Sequence, residues 1–171
     1  MKPGPVREPG LRAGVVIAST RASAGIYLDA TGPVITEFLT DLGFGVEPVA
    51  VVPDGHPVGV AIDALVRQGV RCVLTSGGTG LTPTDRTPEM TTALLDREIP
   101  GIAEAIRAAG IASGVPAAAL SRGVAGVAGQ CLVVNLPGST GGVRDGLRVL
   151  GPILVHAIEQ IVGSDHPRTH R

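Results

Sequence analysis

Thr75-Ser76-Gly77-Gly78-Thr79-Gly80-Leu81-Thr82-Pro83-Thr84-Asp85 puts three glycines, several hydroxyls and an acid directly after an apolar run, Val70–Leu74. Gly77, Gly78 and Gly80 allow a tight turn and a close approach of backbone to ligand. Successive amides in such a turn bind oxyanions, usually phosphates. Asp85 follows at a distance suited to a divalent cation beside those phosphates. Thr75, Ser76 and Thr79 add hydroxyl donors. The chemistry indicated is that of a phosphate ester. A plain strand-to-helix turn would explain a Gly-Gly pair, but not small and hydroxylated residues followed by an acid at a strand's carboxyl end. The stretch is neither a P-loop, for it lacks Gly-Lys-Ser/Thr, nor a dinucleotide fingerprint, for no glycine follows Gly80 at the required offset.

Other candidates lie at similar places. Asp54 sits in Pro53-Asp54-Gly55, where a structural turn and a functional acid are equally well supported. Ser19 and Arg21 follow the first apolar run, and Arg21 could pair with a phosphate in bidentate fashion. Pro137-Gly138-Ser139 precedes the last helix, which Ser139 should cap while its amide end faces an anion. His56 is the single histidine near these positions, and a solvated turn residue accounts for it.

The elements that must position these residues alternate. Strands are expected at Ala13–Ser19, Val46–Val52, Val70–Leu74, Ala119–Val124 and Gln130–Leu136, the last two joined by a turn around Gly126 and Gly129. Helices are expected from Gly32-Pro33 to Gly43, over Val58–Gln68 and Ile102–Ala112, and from Ser139 onward with a break near Leu150–Gly151 caused by Pro152. Thr87 should cap a further helix, with Pro88 in its first turn and Glu89 complementing the dipole. This alternation predicts an α/β fold, a three-layer α/β/α sandwich around a mostly parallel sheet, with ligands beyond the strands' carboxyl ends. Residues 11–163 should form one domain, with 1–10 a disordered leader and 164–171 a disordered tail.

Composition narrows the function. Aromatics are 2% of 171 residues while apolar residues reach 44%, so the core must be aliphatic, and its near-continuous runs suit strands buried on both faces. A net charge of −1 with no basic-aromatic cluster argues against nucleic acid. No apolar run approaches membrane-spanning length and nothing resembles a signal peptide, which points to the cytoplasm. Cys72 and Cys131 lie in apolar runs without a C-x-x-C partner and are expected to be core residues.

Ser76-Gly77-Gly78-Thr79-Gly80 with Asp85 and Thr87-Pro88-Glu89, Ser19-Thr20-Arg21 with Gly25 and Asp29, and Asn135-Leu136-Pro137-Gly138-Ser139 together resemble the molybdopterin adenylyltransferase group (MogA/MoaB type) of molybdenum cofactor biosynthesis proteins. The motifs occur in that family's order across nearly the whole chain. Three positions differ from its usual pattern: Thr84 replaces an arginine, Thr20 an aspartate and Thr140 a proline. The resemblance implies transfer of AMP from Mg-ATP to molybdopterin with release of pyrophosphate. It implies a catalytic role for Asp54 and Asp85, Mg²⁺ on Asp85, and ligand contacts from Ser19, Arg21, residues Ser76 to Gly80, and Pro137 to Ser139. It further implies a homotrimer and a downstream molybdate-inserting partner. A molybdopterin-binding or scaffolding protein without adenylylation is the alternative, and an enzyme acting on another phosphate ester a more distant one.

Overall fold

Apolar runs become the middle of the sheet because nothing in them needs water on either face. The computed structural model describes residues 10–163. The leader and tail expectations therefore fall, apart from Gly10, outside the described residues. In chain order the elements are β1 (Arg12–Ala18), α1 (Thr20–Ser23), α2 (Thr31–Asp41), β2 (Gly45–Val46), β3 (Ala50–Val52), α3 (His56–Arg67), β4 (Cys72–Ser76) and α4 (Thr87–Thr92). Then follow β5 (Arg97–Glu98), α5 (Pro100–Ala112), a 3₁₀ turn (Pro116–Leu120), β6 (Ala125–Ala128), β7 (Cys131–Leu136), α6 (Thr140–Leu150) and α7 (Leu154–Ile161).

The sheet runs β2–β1–β4–β7–β6–β5, and β3 continues beside β1 on the β2 edge. All pairings are parallel except β6 with β7 and β5 with β6. In the central register Val15 stands beside Leu74, and Leu74 beside Val134. Side chains alternate between two cores. Val15, Leu74 and Val134 face α2, α5, α6 and α7 through Leu39, Ile106, Leu147 and Leu154. Val16, Val73 and Val133 face α3 through Val58, Ile62 and Leu65. These two cores make the three layers. Each fully buried aliphatic side chain stabilises the fold by roughly 1.5–3 kcal/mol. Cys72 and Cys131 are both buried free thiols, one in each core. Desolvation raises both; Cys131 is pushed up to about 12. No helix among the described residues is long and apolar enough to cross a membrane.

Several elements depart from expectation. Val46–Val52 is two strands rather than one, because Pro48 between them has no N–H to give a ladder. Ala119–Val124 is not a strand: a 3₁₀ turn opened by Pro116 occupies its start, and the Arg122 amide bonds the Thr79 carbonyl at 2.8 Å instead of a neighbouring strand. Gly126 lies inside β6 rather than in the turn, because β5 crosses so closely that a β-carbon there would stand 2.3 Å from the Arg97 carbonyl. β5 itself, two residues long, has no pattern to announce it. Thr87 does not cap α4 but begins it, and its amide bonds the Gly78 carbonyl at 3.1 Å. The break after Leu150 is present as expected.

Candidate functional site

Parallel pairing sends the carboxyl ends of β1, β3, β4 and β7 to one edge of the sheet. The helix after β1 packs on one face and that after β4 on the other, so their neighbouring ends open a crevice where the connections diverge. Every candidate residue leaves the sheet at this edge.

The glycine loop after β4 is built from backbone. Gly77 and Gly78 have φ of +94° and +68°. A β-carbon on Gly77 would stand 2.4 Å from the Ala18 carbonyl at the end of β1, and one on Gly138 would stand 3.3 Å from the Gly77 Cα. Three strand ends thus meet at main-chain contact. The Gly77 amide donates to the Leu136 carbonyl at 3.2 Å, so among the three loop glycines its N–H is committed to the fold rather than open to a ligand. Ser76, expected to present its hydroxyl, is buried and donates to the Pro137 carbonyl at 2.8 Å; Thr79 is buried as well. Both shape the loop from below.

Asp85 is half-buried at the loop's far end. Its Oδ2 accepts the Thr82 amide at 3.1 Å, closing a turn that fixes the carboxylate beside Gly80. Arg122 holds the whole excursion. Its Nε donates to the Gly80 carbonyl at 2.9 Å, one terminal nitrogen donates to the Asp85 carbonyl at 2.7 Å, and the other pairs with Glu89. That pairing, chiefly through its hydrogen bond, keeps the Glu89 carboxyl below its ordinary range. Below the loop, buried Asn135 donates to Thr75 at 3.0 Å and Thr91 at 2.9 Å while accepting the Val124 amide at 3.1 Å. A satisfied buried network of this kind specifies a single arrangement.

The loop after β1 is built from side chains. Ser19 caps α1 by accepting the Ala22 amide at 3.1 Å. Thr20 donates to Asp54 Oδ2 from its amide at 3.1 Å and its hydroxyl at 2.9 Å, and its hydroxyl also accepts the Asp54 amide at 3.2 Å. Asp54 is thereby aimed across the crevice: a β-carbon on Gly78 would stand 3.1 Å from its Oδ1. Asp29, also on the wall of the smaller cavity, accepts the Thr31 and Gly32 amides, each at 2.9 Å, at the start of α2. Ser139 caps α6 by accepting the Gly142 amide at 3.1 Å, as expected. His56 is exposed at the start of α3 and lines neither cavity at the site.

Two adjoining cavities result. The smaller, about 570 Å³, takes Ser19, Arg21, Asp54, Ser76 and Gly77. The larger, about 1300 Å³, takes Thr79, Gly80, Pro137 and Ser139, then runs between α2, α5 and α6. Gly78, Asp85 and Gly138 line both. The candidate residues other than His56 and Thr75 are therefore brought together. Thr20, noted from sequence only as a departure from the family pattern, completes the arrangement with Tyr27, Arg122 and Asn135, which were given no role there. Asn135 lay inside a recognised motif; Arg122, 37 residues from Asp85, carried no local signal.

As for a metal, no group of three or more His, Cys, Asp or Glu side chains that could hold one occurs among the described residues. Asp54 and Asp85 line the same smaller cavity.

The fold and site define an α/β domain whose candidate residues gather at the carboxyl edge of a mostly parallel sheet. Residues 14–156 match the molybdenum cofactor biosynthesis family, whose description is "probable molybdopterin binding domain", and the chain belongs to that family. It is 36% identical over 157 residues to the molybdopterin adenylyltransferase of Escherichia coli strain K12, covering 86% of this chain and 80% of that protein. It is 35% identical to a bifunctional molybdenum cofactor biosynthesis protein of Chlorobaculum tepidum, covering 91% of this chain but only about half of that longer protein's length (50%). Among solved structures, the molybdopterin biosynthesis Mog protein of Mycobacterium ulcerans is 56% identical with a TM-score of 0.85, covering 89% of this chain and 99% of that one.

Proposed function

We propose that this protein is a molybdopterin adenylyltransferase, moving AMP from Mg-ATP to the terminal phosphate of molybdopterin. A terminal phosphate oxygen of the pterin forms a bond to the α-phosphorus of ATP. The bond from that phosphorus to the bridging oxygen breaks, and pyrophosphate leaves. The observation that carries the reading is the pair of cavities meeting at Gly78, Asp85 and Gly138. Two phosphate-bearing substrates need two chambers and one common wall.

This chemistry asks for positioning and charge neutralisation rather than a covalent intermediate. Gly78 and Gly80 supply close backbone approach, and Ser139 leaves the amide end of α6 beside the larger chamber. Arg21 supplies a cation to the smaller one. Asp85, with Asp54 as second carboxylate, would hold nucleotide-borne Mg²⁺, which offsets negative charge on the phosphates. The exposed Ile111, Val115 and Leu120 along the α5 side offer a homotrimer an apolar surface to bury. The adenylylated pterin would pass, in the cytoplasm, to a molybdate-inserting partner.

Purified protein, molybdopterin and Mg-ATP should yield adenylylated pterin and pyrophosphate in equal amounts, and none without Mg²⁺. The uncharged Thr84, whose hydroxyl pairs with that of Thr82 at 3.2 Å, favours a second reading, a pterin-binding protein without turnover. Bound pterin with no product would establish that one instead.

A further inference from the structure

We propose that Tyr27 is a positioning residue that presets Ser19 and Arg21 for the phosphate entering the smaller cavity, an inference that rests on the adenylyl-transfer reading. The segment between Ser19 and Asp29 exposes Ile26, Tyr27 and Leu28 (64%, 48% and 93%), and Tyr27 lines the smaller cavity beside Leu28. Its hydroxyl shares a hydrogen bond of 2.7 Å with the Ser19 hydroxyl, and the Arg21 guanidinium carbon lies 5.7 Å from its ring centroid. That distance is within the range at which an aromatic face attracts a guanidinium.

Four-residue α1 cannot hold itself. It is tied at Ser19 and Arg21 by Tyr27 and at Thr20 by Asp54. A long exposed arginine samples many rotamers; the ring confines this one at the cavity mouth, so less freedom is lost when a phosphate arrives. The same contact is one a phosphate can outbid, because a charge-assisted fork to an anion is stronger than contact with a ring. Arg21 should therefore leave the ring when phosphate binds.

The test combines a double-mutant cycle with a spectroscopic probe. Tyr27→Leu and Arg21→Ala should each lower kcat/KM about 30-fold, mostly through KM, and together hardly more than either alone, since both remove one coupled unit. Tyr27→Phe, which keeps the ring under Arg21 and loses only the Ser19 bond, should retain all but about 3-fold of the activity. Tyr27 is the single tyrosine of a chain without tryptophan, so tyrosine emission reports this residue alone. Mg-pyrophosphate, transparent at those wavelengths, should change that emission in the wild type and not in Arg21→Ala. Losses that multiply, or an emission change that survives Arg21→Ala, would overturn the proposal. If no adenylylated pterin forms with any variant, the enzymatic reading falls while the emission measurement still decides the role of Tyr27.

Discussion

The loops that follow β1 and β4 leave neighbouring parallel strands and flank one cavity, yet they are made differently. The β4 loop is held by main-chain contacts and by an arginine bonded to main-chain carbonyls: Gly77 against Ala18, Gly138 against Gly77, and Arg122 on the Gly80 and Asp85 carbonyls. The β1 loop is held by side chains meeting side chains, Thr20 with Asp54 and Tyr27 with Ser19, two of them exposed and two half-buried. A backbone-built loop cannot adjust by a rotamer change. A side-chain-built one can. We take the first as the fixed anvil of the site and the second as the part that adapts to what binds.

The largest test of this contrast is Asp85→Asn. The amide oxygen of asparagine still accepts the Thr82 N–H, so the fixed loop should survive while the carboxylate charge is lost. Product formation should fall about 10³-fold, or about 4 kcal/mol of transition-state stabilisation, with molybdopterin affinity within about 2-fold of wild type. Equal loss of both would make Asp85 a structural residue and dissolve the contrast. Next comes Gly77→Ala. It sets an L-residue at φ +94° and a β-carbon 2.4 Å from a carbonyl oxygen that no rotamer can move. We expect a cost of about 3 kcal/mol or more, seen as a drop of roughly 6–12 °C in Tm for a domain of this size. An unchanged Tm would show the loop to be adaptable after all.

A matched pair sharpens the comparison at lower energies. Arg122→Lys keeps the charge but loses the three-way fork, and should cost about 10-fold in kcat with a measurable loss of stability. Thr20→Val keeps shape and removes the hydroxyl that both donates to and accepts from Asp54, at a cost of about 0.5–1.5 kcal/mol. Because that loop is exposed, the Thr20 variant should lose about 3–10-fold in kcat/KM and keep its Tm within about 2 °C. Reversal of these two patterns would invert the assignment of fixed and adaptable loops.

The same contrast explains what sequence could show. Val70–Leu74 and Cys131–Leu136 announced central strands because burial on both faces writes itself as an unbroken apolar run. Gly77, Gly78 and Asp85 announced the fixed loop because its demands are local backbone demands. Arg122 could not be found this way, since its partners lie 33 to 42 residues earlier in the chain. Tyr27 sits in a stretch whose polarity and period say nothing, and its value appears only when Ser19 and Arg21 are brought beside it. The false strand at Ala119–Val124 has the same origin: Ala and Leu fit a strand or a 3₁₀ turn equally well, and the choice is made by contacts from Gly110 and Arg107 on α5.

The smallest effect concerns the rim of the clamp. The hydrogen bond from Arg122 lowers the Glu89 carboxyl from its ordinary 4.5, so the folded protein binds that proton less readily than the unfolded chain. The contribution to stability is thus complete above the unfolded value and is lost as the pH falls through it toward the folded one. With 44% of the Glu89 side chain exposed, water screens the pair, and Glu89→Gln should cost no more than about 0.5 kcal/mol at neutral pH. Denaturant melts of wild type and Glu89→Gln should therefore differ slightly at pH 7 and converge as the pH falls below the lowered Glu89 value. The absence of any gap at pH 7 would mean that the Glu89 charge adds nothing to the hold of Arg122. The fixed loop would then owe its hold to the Gly80 and Asp85 carbonyls alone, making it more purely a backbone construction than the ion pair suggests.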